Sequence, residues 1–228
     1  MDTDTDSPGN SEHAAQPPDS PLAIEVLFAN QDVLVVNKPS GLLSVPGRGP
    51  DKQDCVIHRI QKLFPEALIV HRLDMATSGL LLLARGAASQ RRLSMAFEAR
   101  QVHKRYVAVV HGELRTPDKD WAEIQLPLIT DWPNRPRQKV DPQNGKPSLT
   151  RYRPVLPNSS PASHTRVLLE PVTGRTHQLR VHMLALGHPI LGDSLYGPAL
   201  DKASRLHLHA CSLQLPALNL AFECPPDF

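Results

Sequence analysis

Cysteine is scarce in these 228 residues: Cys55, Cys211 and Cys224 are the whole set, and no two of them stand in a C-x-x-C spacing. An odd, scattered trio argues against both a disulfide framework and a zinc site, and fits a reducing cytosol. Long apolar runs are also missing. The longest, Leu80-Leu81-Leu82-Leu83-Ala84, suits a buried strand and falls far short of the ~20 residues that cross a bilayer. The N-terminus has no apolar signal core, which argues against export. A cytoplasmic chain is expected, and 40% hydrophobic residues with a mean hydropathy of −0.29 give it ample material for one core.

Lys and Arg are absent from positions 1–21, where Asp2, Asp4, Asp6, Glu12 and Asp19 are the acids. The net charge of +2 therefore hides an asymmetry. Of 23 acids, 18 remain beyond position 21 against 25 bases, so the body carries +7. Such a body suits a polyanion such as RNA, although ordinary solubility charge would look the same. Residues 1–21 are rich in Asp, Ser, Pro and Gln without apolar periodicity and are expected to be a disordered acidic tail. Residues 22–228 form the folded domain in this reading.

Within that domain, Ile24–Phe28 and Val33–Asn37 read as a hairpin across Asn30-Gln31-Asp32. Helical spacing predicts helices over Val56–Phe64, Gln90–Arg100 and Thr176–Leu186, the last stopped by Gly187. Strands are expected at Leu80–Ala84, Tyr106–His111, Arg166–Pro171 and Arg205–Leu213, with loops and short strands through the proline-rich 115–163 stretch. Strands outnumber helices and do not alternate with them, which points to an α+β fold.

Four segments carry candidate chemistry. His71-Arg72-Leu73-Asp74-Met75-Ala76-Thr77-Ser78-Gly79 sets a carboxylate in a turn before the apolar strand, a rigid mount for a reactive group. Lys104-Arg105-Tyr106 puts a phenol beside two cations. Thr173-Gly174-Arg175-Thr176-His177-Gln178-Leu179-Arg180 puts a guanidinium, Arg175, at the entry to a helix, and Asn37-Lys38-Pro39-Ser40-Gly41 makes a rigid basic corner. Singly, each has a plainer reading as a turn residue, a strand residue or a surface cation.

Together and in this order they resemble the RluA family of pseudouridine synthases, over about residues 22–228. That resemblance implies a bent, mixed, mainly antiparallel sheet flanked by helices around a central cleft, with no S4-type RNA-binding domain. It implies catalytic roles for Asp74, Tyr106 and Arg175, with Arg175 paired to Asp74 and Tyr106 either stacked on uracil or also the base that removes the C5 proton. Arg72 is expected to fill the space left by an extruded base. Lys104, Arg105, His177 and Arg180 join it as RNA contacts. The Asp131-Trp132-Pro133-Asn134-Arg135-Pro136-Arg137-Gln138-Lys139 segment resembles the family's dual-specificity members. It adds Arg135, Arg137 and Lys139, and implies uridine 746 of 23S rRNA and uridine 32 of tRNA as targets.

The reaction moves one glycosidic bond without redox change or group donor, so neither cofactor nor metal is expected. His177 and His182 lie roughly 140° apart on a helix and cannot share a face. His207 and His209 share a strand face but lack a third ligand nearby. These histidines are expected to be polar or RNA-facing groups. Arg85, Arg91, Arg92 and Arg100 are expected to extend a basic track for the RNA backbone, and the chain is expected to be a monomer. Two other readings compete: a family member with a different RNA target, and an RNA-binding or chaperone module without turnover. The latter predicts that Asp74→Asn leaves function intact.

Overall fold

The computed structural model describes residues 24–116, 120–155, 163–199 and 201–228; the expected acidic tail lies outside the described residues. The first strands, β1 (Glu25–Ala29) and β2 (Val33–Lys38), form the expected antiparallel hairpin. Asn30 turns the chain: its Oδ1 accepts the backbone N–H groups of Asp32 and Val33. Helix α1 is short (Val56–Ile60), and then β3 (Ala67–Ile69) and β4 (Ser78–Arg85) bracket the Asp74 loop. Helix α2 (Ala87–Glu98) begins three residues before the apolar spacing suggested, because Ser89 is buried by a hydrogen bond to Asp32 and not by apolar contact.

Strand β5 (His103–His111) follows, then β6 (Ala122–Gln125), the small hairpin β7 (Leu128–Thr130) and β8 (Gln138–Val140), and the long pair β9 (Leu149–Val155) and β10 (His164–Pro171). Helix α3 (Gln178–Ala185) is shorter than predicted because His177 takes a left-handed φ of 54° and Gly187 ends the last turn. Strand β11 (Leu208–Leu215) starts three residues late, and β12 (Leu220–Glu223) pairs with it.

The main sheet runs β1-β2-β4-β11-β5-β10-β9-β6, with β3 on β4 and β12 on β11; only the β4–β11 pairing is parallel. Leu80, Leu81, Leu82 and Leu83 are at most 1% exposed, so β4 is covered on both faces and reads as an unbroken apolar run. Register then does the positioning. Gly79 of β4 lies beside Ala210 of β11, and Ala210 lies beside Tyr106 of β5. Gly79 has φ +105°, and a Cβ there would collide with the Ala210 backbone. Close strand approach at Gly79 thus brings Tyr106 within two strands of the turn that holds Asp74.

Candidate active site

Asp74 sits in a turn closed by the Thr77 N–H on its own carbonyl. The turn is clamped from the Lys38-Pro39-Ser40-Gly41 corner. Lys38 Nζ donates to the carbonyls of Pro39 and Met75, the Gly41 N–H also donates to Met75, and Ser40 Oγ donates to Ala76. Ser44 bonds both the N–H and the carbonyl of Leu73. Lys38 is wholly buried, and burial lowers its pKa to about 7 despite the opposing pull of Asp74. The rigid basic corner thus braces the loop through a lysine that is itself buried.

His71 anchors the other end of the loop. Its ring stacks on Phe97 at 4.5 Å, and its Nε2 accepts the Leu82 N–H at 3.0 Å. Burial, reinforced by the charge of Lys104, drops its pKa to about 3, so the ring is a neutral acceptor. Lys104 Nζ lies 5.7 Å over the outer part of the same Phe97, and burial lowers its pKa as well.

The cation that faces Asp74 is Arg180. Its Nη1 is 3.7 Å from Asp74 Oδ2, while Nε and Nη2 form a two-point pair with Asp193 at 2.8 and 2.6 Å. Burial opposes the charge on Arg180, but the bonds from Asp193 and the fields of both carboxylates hold its pKa above the usual value. His177 Nε2 approaches the same Asp74 oxygen at 3.9 Å. Arg175, expected as the partner of Asp74, makes no ion pair with it among the described residues. It is exposed at the cleft lip with Nε on the Pro147 carbonyl at 3.2 Å. The reason is the left-handed His177, which directs the Arg175 turn outward and starts the helix so that Arg180 points in. Gln178 locks this arrangement. Its Oε1 accepts from Thr173 and the Arg175 N–H, and its Nε2 donates to Leu149 and Thr150.

These groups line a cleft of about 930 Å³, together with Arg72, Tyr106, Lys104, Arg105 and Arg175. Burial first, then the field of Asp74, pushes the Tyr106 phenol well above its ordinary range. Arg72 is exposed beside Asp74. Arg105 is tied to Glu170 at 2.6 Å. Arg135, Arg137 and Lys139 are exposed on the β7–β8 hairpin, with Arg135 stacked 4.5 Å over Trp132 and Arg137 lying 5.4 Å over Tyr196.

Several expectations need correction. Arg180 is 3% exposed and engaged by two carboxylates, so it is not a free phosphate contact. Arg85 and Arg92, expected in the basic track, are paired with Glu66 and Asp32. His182 is no RNA-facing group either: it is buried among Thr150, Ser148 and the Leu126 carbonyl. His209 is buried between Ser78 and the Cys224 carbonyl. Sequence reasoning assigned no role to Asp193 or Tyr196. The available signal was an arginine inside the apolar run Leu179–Met183, which needs a buried acid somewhere.

The chain matches the family model described as RNA pseudouridylate synthase over residues 32–185. The dual-specificity RNA pseudouridine synthase RluA of Escherichia coli (strain K12) is 49% identical over 218 residues, which is 93% of this chain and 97% of that protein. The protein of the same name from Yersinia pestis is 50% identical over 209 residues, 89% and 99% of the two chains. Human RNA pseudouridylate synthase domain containing 1 superposes with a TM-score of 0.72 at 32% identity, covering 93% of this chain and 86% of that one. The sequence match and the superposition both cover nearly the whole described length, and the chain belongs to the RluA family of pseudouridine synthases.

Proposed function

We propose that this chain converts uridine to pseudouridine in structured RNA, at uridine 746 of 23S rRNA and at uridine 32 of tRNA anticodon loops. The observation that carries the reading is a carboxylate, Asp74, opening onto a cleft that Arg180, His177 and the Tyr106 phenol also line. The dual specificity rests on the name borne by relatives at about half identity, and on the exposed Trp132–Lys139 segment.

The isomerisation breaks N1–C1′, turns the uracil, and joins C5 to C1′; C5 loses a proton and N1 gains one. Asp74 acts at the sugar, either by attack on C1′ or by taking a sugar proton; both routes need it ionised. Arg180, 3.7 Å from that carboxylate and held by Asp193, keeps its guanidinium fixed against it. Tyr106 offers a ring face to the uracil. A phenol held protonated is a stacking surface first, and its raised pKa opposes a standing role as the base at C5. The target nucleotide leaves its stack at a cost of a few kcal/mol, and Arg72, exposed at the rim, fills the gap. Arg175 at the lip is assigned to the RNA backbone with Lys104, Arg135, Arg137 and Lys139.

Release of label from C5-tritiated uridine in an anticodon stem-loop and in the 23S stem-loop tests this, without added metal or cofactor. The wild type is expected to release it from both, and Asp74→Ala from neither while still binding RNA. No release by the wild type from either RNA, or full activity in Asp74→Ala, would overturn the reading.

A further inference from the structure

Tyr196 lies outside every motif that carried the proposed function, yet its hydroxyl is the hinge of a hydrogen-bonded chain that ends at His177, the ring facing Asp74. The Gln138 N–H donates to Tyr196 Oη at 2.7 Å, and Tyr196 Oη lies 2.8 Å from His177 Nδ1. The phenol has one proton. Its oxygen already accepts from Gln138, and no acceptor for that proton other than His177 Nδ1 is found among the described residues. Tyr196 therefore donates to Nδ1. That leaves the proton of the neutral imidazole on Nε2, the nitrogen 3.9 Å from Asp74 Oδ2. Burial lowers the pKa of His177, consistent with a neutral ring.

The hinge is firmly held. Tyr196 is 5% exposed and packs with Leu128 and Val181. Its own N–H donates to Asp193 Oδ1, the carboxylate that also grips Arg180. Its ring lies between two guanidinium groups, Arg180 at 5.1 Å inside and the exposed Arg137 at 5.4 Å outside. Gln138 and Arg137 both belong to the hairpin that carries Trp132.

We infer that Tyr196 is a positioning residue: it fixes His177 as the Nε2–H tautomer facing Asp74 and ties that state to the Trp132–Lys139 hairpin. The inference deepens the reading of the site as a pseudouridine synthase and rests on it for its catalytic consequence. When Asp74 acts at the sugar, a donor with a fixed proton limits the carboxylate to one oriented oxygen; a ring free to swap tautomers would at times present a bare nitrogen to it.

Long-range ¹H–¹⁵N spectra of the histidine rings in the intact protein test the tautomer without RNA. The wild type is expected to show His177 protonated at Nε2, and Tyr196→Phe a mixture of tautomers. With anticodon stem-loop RNA, Tyr196→Phe is expected to lower kcat about tenfold while KM changes less than about twofold, the scale of one lost hydrogen bond. In a double-mutant cycle, Tyr196→Phe added to His177→Gln should slow the enzyme no further. A wild-type His177 protonated at Nδ1 would overturn the inference even if Tyr196→Phe failed to fold. Unchanged spectra in the variant or additive losses would overturn it as well. If instead no RNA is modified by the wild type while the Nε2–H tautomer is seen, the functional reading fails and the lock on His177 stands.

Discussion

The two walls of the cleft are built on different physics. The wall that carries Asp74 hangs on β4, whose four consecutive leucines are buried, and is trimmed by bonds to backbone carbonyls from Lys38, Ser40 and Ser44. The wall that carries Arg180 and His177 is a buried polar lattice in which Gln178, Thr150, Thr173 and His182 satisfy one another and Asp193 holds Arg180. Apolar packing is non-directional and roughly additive in area, so it fixes where a strand lies and tolerates small losses. A polar lattice fixes direction, but removing one member leaves another buried without a partner. Stability therefore resides mainly in the first wall and orientation in the second.

Asp193→Ala against Leu82→Ala is the sharpest way to break that contrast. Asp193 has no exposed side-chain surface and Arg180 has 4%, so removing the acid strands a buried guanidinium. A destabilisation of about 3–5 kcal/mol in urea unfolding is expected, with kcat lost because Arg180 and Tyr196 both lose their anchor. Leu82→Ala should lose about 2–5 kcal/mol to the cavity, yet keep kcat wherever the protein remains folded. Equal effects on kcat would dissolve the distinction between the walls.

Lys38 is the exception on the apolar side, and pH isolates it. Its folded pKa of about 7 lies below the unfolded 10.5, so between those values the unfolded chain holds a proton that the folded chain does not. Stability from this group therefore rises with pH across that window, by up to a few kcal/mol, and is flat below it. A neutral amine has the two N–H bonds that the Pro39 and Met75 carbonyls use. Unfolding free energies of the wild type and Lys38→Met, compared from pH 7 to 10, should diverge in the wild type's favour. Parallel curves would show that the amine is charged or hydrated.

The same contrast explains what the sequence could disclose. Leu80–Ala84, the β1–β2 turn at Asn30 and the helical spacing around Leu93 were legible because burial and turn chemistry are local. Asp74 and Tyr106 were legible as members of motifs. The partner of Asp74 was not, since choosing between Arg175 and Arg180 depends on the left-handed His177 and on an acid thirteen residues beyond Arg180. Periodicity carries no information about such a pairing. Strand β12 escaped notice because Leu220–Glu223 alternates too briefly to stand out, and it forms only because β11 offers it an edge. His182, expected to be polar or RNA-facing, is a buried polar group because Thr150 and Ser148 close around it.

The smallest expected effect separates the orienting wall from the surface that meets RNA first. Trp132 is 65% exposed at the hairpin tip with Arg135 over its ring, an aromatic face and a cation with no role in the core. Base stacking on such a face contributes about 1–3 kcal/mol, so Trp132→Ala should weaken stem-loop binding about five- to hundredfold. At saturating RNA kcat should hold, because the bond from Gln138 to Tyr196 belongs to the backbone and survives the change. Arg92→Ala, whose guanidinium is already paired with Asp32, serves as the control and should leave affinity unaltered. Filter binding and saturation kinetics on the same RNA read both quantities. A drop in kcat with intact affinity would mean that the hairpin orients the catalytic groups through its side chains, and the division between meeting RNA and aiming at it would have to be redrawn.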